Sequence, residues 1–171
     1  MYYTHRLLVL LLITLLVSAC GGEDAFNGGG CNPADTPTVI GMFSVTGVST
    51  DSVSGLEVID DTGDFMLSWD LDSSCSYTYS AYLSANNELG LNDIEFSSGT
   101  CGFGHSCGYS ADISCSFDAV DKSISCDSGS AIDVSAALPD PSPQTPYIFF
   151  TASNEMGDEP APESQQVQVE F

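Results

Sequence analysis

The densest run of ligating and nucleophilic side chains is Cys101-Gly102-Phe103-Gly104-His105-Ser106-Cys107. Two thiolates and an imidazole at Cys-x₃-His-x-Cys spacing could hold a soft metal such as zinc. The same thiols, once oxidised, would instead close a small loop around His105. A second cluster is Asp60-Asp61-Thr62-Gly63-Asp64, with Asp70 and Asp72 following. Carboxylates gathered in this way suit hard cations. Their spacing lacks the alternate ligand positions of an EF-hand loop, and a solvated turn accounts for them as well. Paired carboxylates also serve glycoside hydrolysis, but in a chain with 24 acidic residues chance brings carboxylates together. His105 is the one histidine after His5. There is no His-Glu-x-x-His zinc motif and no phosphate-binding loop. The expectation is a non-enzyme with no metal and no cofactor.

Charge narrows the partners. The full chain has 24 acidic and 2 basic residues, a formal charge of −22. Loss of Arg6 with a signal peptide would leave Lys122 as the remaining basic residue. Such a surface repels nucleic acid, whose phosphates demand Lys and Arg. It repels anionic lipid headgroups for the same reason. Self-repulsion keeps such a chain soluble, and acidity of this kind also suits a salty habitat, where charge is screened at short range.

The amino terminus has its own pattern. Tyr2 to Arg6 is polar, and Leu7 to Val17 is aliphatic apart from Thr14. At about 11 residues the apolar run is too short to span a bilayer, which takes roughly 20, and it has the length of a signal-peptide hydrophobic region. It ends at Val17-Ser18-Ala19-Cys20. This resembles the lipobox of bacterial lipoproteins: an aliphatic residue, two small residues, then the cysteine that receives the lipid. Ordinary secretion, cleaved after Ala19, is the competing reading. The resemblance implies a signal peptide over 1–19, and a lipid anchor on Cys20 that holds the protein to a membrane. Two or three acyl chains give stable anchoring where one does not. Gly21 stands where an inner-membrane retention signal would place Asp, which points to the outer membrane of a bacterial envelope.

Behind the anchor, residues 20–37 read as a flexible tether rich in Gly and Pro. From Thr38 onward the pattern is β. Val39 to Val48 is rich in β-branched and aromatic residues, and Phe65, Leu67 and Trp69 share one strand face. Tyr77 to Leu83 alternates, and Ile94 to Phe96 is a short strand. Ile113 to Phe117 and Ser123 to Cys126 form a hairpin. Ile132 to Ala136, Tyr147 to Ala152 and Val167 to Phe171 complete the set. Turn clusters separate the runs. Many short strands with regular turns predict an all-β antiparallel sandwich.

An even six cysteines beyond Cys20 predict three disulfides in an exported chain. In the Ile113–Cys126 hairpin, a register in which opposed residue numbers sum to 241 sets Cys115 against Cys126 and Phe117 against Ile124. Opposed Cβ atoms lie about 4.5–5.5 Å apart, within reach of a disulfide. The alternative is that both reach elsewhere, to Cys101 and Cys107.

Leu67-Ser68-Trp69, Tyr79 to Leu83, and Ala152-Ser153-Asn154-Glu155-Met156-Gly157 with Ser164 and Val167 to Val169 resemble strand signatures of the fibronectin type III family, one branch of the immunoglobulin-like sandwiches. Tyr147 stands one place later than the family tyrosine. The resemblance implies a single sandwich over 38–171, with 97–130 as a disulfide-rich insertion carrying its own hairpin. It further implies that Cys75 lies at the pole where Cys31 enters, so that these two pair and Cys101 is left to Cys107. It also implies a non-catalytic interaction or spacer domain, with a protein or glycan partner. The alternatives are an accessory subunit of an envelope complex and a calcium-dependent adhesion or glycan-binding module.

Overall fold

The computed structural model describes residues 31, 37–61, 63–127 and 129–171. The expected signal peptide, Cys20 and most of the expected tether lie outside the described residues. From Cys31 onward the chain forms one compact unit. Its strands are β1 (Val39–Thr46), β2 (Ser49–Thr50), β3 (Glu57–Ile59), β4 (Asp64–Asp72), β5 (Tyr77–Ser84), β6 (Ile94–Cys101), β7 (Ser110–Asp118), β8 (Ser123–Cys126), β9 (Ile132–Asp133), β10 (Tyr147–Asn154) and β11 (Glu163–Val169). The fold is an all-β sandwich. One sheet runs β1-β4-β7-β8-β9 and the other β2-β3-β11-β10-β5-β6. All pairings are antiparallel except β3 with β11.

Alternation of side chains along a strand builds the core. In β4, Phe65, Leu67, Trp69 and Leu71 point inward and are buried. In β5, Tyr77, Tyr79, Ala81 and Leu83 meet them from the other sheet. Ile113, Cys115 and Phe117 continue the layer in β7, and Ile148, Phe150 and Ala152 in β10. Aromatic rings fill the centre. Trp69 lies 4.8 Å from Tyr79 and 4.9 Å from Phe150 between ring centroids, within the range that favours tilted and offset ring pairs. The turn before β4 depends on Gly63, which adopts φ +82° with the Phe117 carbonyl occupying the space a Cβ would need. A side chain there would collide with that carbonyl and would sit in the left-handed region that favours glycine.

Two expectations require correction. Residues 97–130 are not an insertion set apart from the sandwich. Ser97 to Cys101 complete β6, the edge of one sheet, and β7 pairs with β4 from Asp64↔Ser116 to Asp70↔Ser110 in the other. Only β8 and β9 extend that sheet beyond β7. The β7 side chains have the inward alternation that a central strand needs, so the segment is absorbed into the core. The strand expected over Ile132–Ala136 stops at Asp133, because Asp133 Oδ1 accepts a hydrogen bond from Ser135 N (2.9 Å) and the chain turns into a short 3₁₀ segment, Ser135–Ala137. Among the described residues no helix is long and apolar enough to cross a membrane.

Candidate functional site

The disulfides fix where the chemically loaded segments sit. Cys31 joins Cys75, Cys101 joins Cys107, and Cys115 joins Cys126, the three pairs set out above. The third pair bridges directly opposed positions of the β7–β8 hairpin, with Phe117 opposite Ile124. The first two are neighbours at one pole. At Gly102 the Cys75 carbonyl and Ser76 leave no room for a Cβ, and Glu155 N donates to Ser76 O.

All six sulfurs after Cys20 are oxidised, so the Cys101–Cys107 segment has no thiolate to offer a metal. His105 lies exposed on that loop. The one described grouping of three metal-ligating residues within reach of one another is Cys31, Cys75 and Glu155, and two of its members are the sulfurs of a single disulfide. Asp60, Asp61 and Asp64 lie on the turn into β4, where Asp60 Oδ1 accepts from Gly63 N (3.3 Å).

The same loop contains a motif that the sequence reading passed over. Gly104-His105-Ser106-Cys107-Gly108 spells Gly-x-Ser-x-Gly, the nucleophile elbow of hydrolases. That motif works when a sharp strand-to-helix turn holds the serine over an oxyanion pocket beside a histidine. Here it lies between two strands, inside an eight-membered surface stretch closed by a disulfide and followed by β7. Ser106 and the His105 ring are not joined by a hydrogen bond. The geometry supplies neither the base nor the pocket.

Two hollows lie on the outer face of the five-stranded sheet. One, of about 490 Å³, is lined by Thr46, Asp64, Met66, Ser114, Ser116 and Ser125. Another, of about 470 Å³, is lined by Met42, Ser68, Asp70, Ser110 and Asp112. Small hydroxyls and carboxylates alternate across the strands there, and Ser110 Oγ donates to Asp70 Oδ1. With hydroxyls and carboxylates as its polar groups, the face can donate and accept hydrogen bonds.

Burial pushes the Tyr77 and Tyr79 phenols above their ordinary value. Tyr77 Oη accepts from Trp69 Nε1 (2.7 Å) and donates to the Gly108 carbonyl (3.2 Å). This chain of bonds ties the disulfide loop to the core, which is a structural use of a shifted phenol. Lys122 Nζ donates to Leu138 O (3.0 Å) and Asp140 Oδ1 (2.9 Å) and lies 4.0 Å from the Phe171 ring centroid, so it too is committed to the fold. No family model, no curated protein and no solved structure matches the chain.

Proposed function

We propose that the protein is a bacterial envelope lipoprotein, anchored through acylated Cys20, probed by its partners through a non-catalytic interaction or spacer domain of fibronectin type III-like kind. The observation that carries the anchor is the short apolar run ending in Val17-Ser18-Ala19-Cys20. Three disulfides support export to an oxidising compartment. The family resemblance is supported by where its anchor residues fall. Trp69 is buried between the sheets, Tyr79 to Leu83 lie in β5, and Ala152 to Gly157 form the end of β10 and the turn towards β11. The word interaction comes from the family resemblance, and fold by itself assigns no ligand.

The anchor is tested with Cys20→Ser. The unaltered chain should take up labelled fatty acid and partition with membranes, and the variant should do neither. A variant that still labels and still partitions overturns the assignment.

A further inference from the structure

Each sheet of a sandwich has two edges, and this protein closes three of its four. β2 and β9 are two residues long, too short to template another chain. β1 is long but blocked by side chains. Gln165 accepts from Val45 N (2.7 Å) and donates to Val45 O (2.9 Å), so its amide replaces a missing strand partner. Beyond it, Glu57 takes Gly47 N (3.0 Å), and ahead of it Asp158 takes Thr38 N (2.7 Å). Natural sheets guard their edges by such means, or with lysine, proline and bulges.

β6 is the exception. It has eight residues and pairs with β5 on one side. Among the described residues no other strand or loop forms a backbone hydrogen bond with it. The Cys107 sulfur lies 3.3 Å from Thr100 O, but a disulfide sulfur has no proton to give. The strand contains no lysine and no proline, and its bulge lies near its start, opposite Ala81 and Tyr82. From Ser97 to Cys101 the register with β5 is unbroken, and Tyr79 packs over Gly99. The site also has a floor. β8 is the strand of the facing sheet that packs against β6, so β9 continues beyond the β6 edge. There Ile132 packs against the core and keeps part of its surface in solvent.

We infer that the outer edge of β6, from Ser97 to Cys101, takes up an extended segment of a partner protein as an added strand, and that this segment carries Lys or Arg. Strand addition supplies affinity through main-chain hydrogen bonds and selects partners through alternate side chains. One face of the added strand would cover Ile132. Charge selects the occupant. Asp93 and Glu95 stand at the start of β6, and the one lysine is held by Asp140. A second copy would bring the same −22 to the contact, whereas a basic segment is attracted to it. The inference rests on reading the domain as an interaction module, and it stands whether or not Cys20 is acylated.

The test uses the full chain, extracted in a non-ionic detergent, and a capped nine-residue peptide alternating Lys and Val. At saturating peptide, amides within Ser97–Cys101 should exchange at least about tenfold more slowly, because an added strand engages them. N-methylation of the peptide backbone should weaken binding by about tenfold or more, and Glu95→Lys should weaken it as well. Three results overturn the inference: equal binding of the N-methylated peptide, which means bulk charge attraction; protection at β1 or nowhere; or a dimer with β6 already protected before peptide is added. Fatty-acid labelling of Cys20, measured on the same preparation, reports the anchor separately. A labelled chain that fails to take up the peptide overturns strand addition alone.

Discussion

Trp69 is enclosed by rings and held at one atom. It is 1% exposed, packs on Tyr79 and Phe150, and donates to Tyr77 from the opposite sheet. Trp69→Ala should cost about 3–5 kcal/mol in urea unfolding, and the emission of the folded protein should be that of a buried indole. Tyr77→Phe removes the acceptor of the indole N–H and should cost about 1–3 kcal/mol, because a buried donor is left unpaired. The inward position of Trp69 was legible in the sequence, since Phe65, Leu67 and Trp69 alternate with polar residues. Its partner was not, because a hydrogen bond between strands of different sheets leaves no trace in local pattern. The phenols also set an alkaline limit. Burial raises Tyr77 and Tyr79 from 10.0, so the folded state favours the neutral phenol. Their contribution is fully present below about pH 10 and is lost as pH rises through the folded-state values. Tyr77→Phe should therefore weaken the loss of stability between neutral and alkaline pH, followed by circular dichroism, with phenolate absorbance reporting the ionisation.

At the scale of strands, the β7–β8 hairpin was readable because each arm alternates cleanly and the register that opposes Cys115 and Cys126 also opposes Phe117 and Ile124. Its four-residue connection lacks tight-turn chemistry, and Asp118 Oδ1 compensates by accepting from Val120 N (2.9 Å) and Asp121 N (3.0 Å). Cys115→Ala with Cys126→Ala should destabilise by about 2–3 kcal/mol through the longer reach of the unfolded chain. Mass analysis after thiol alkylation should find one disulfide fewer and no free thiol. The edge strands were less readable. Ser97-Ser98-Gly99-Thr100 has no apolar alternation, so nothing local marked it as the end of β6, and the sheet to which a strand belongs depends on partners remote in sequence. Gln165 was equally silent, because its role depends on where β1 ends relative to β11. Gln165→Ala should cost about 1–3 kcal/mol and, by opening β1, should increase aggregation measured by light scattering at high concentration.

For the molecule as a whole, charge of one sign dominates. The described residues hold a single ion pair, Lys122 with Asp140, so added salt has little attraction to screen and much repulsion. The melting temperature should rise by several degrees as ionic strength increases from about 0.01 M to about 0.5 M, where the screening length shrinks several-fold. A fall would show that attractive pairs outweigh the repulsion. Composition made this acidity plain from the start, whereas the assignment of the disulfide loop to structure, despite its Gly-x-Ser-x-Gly lettering, required the three-dimensional context. The Cys31–Cys75 bond has a mechanical consequence. Cys75 lies in the link between β4 and β5, one strand from each sheet. A pull on the chain ahead of Cys31 therefore passes through a covalent bond into both sheets at once, and the stretch from Cys31 to Thr38 is relieved of it. β1, the outermost strand of its sheet and the first that tension at the amino terminus would otherwise unzip, lies outside the line of force.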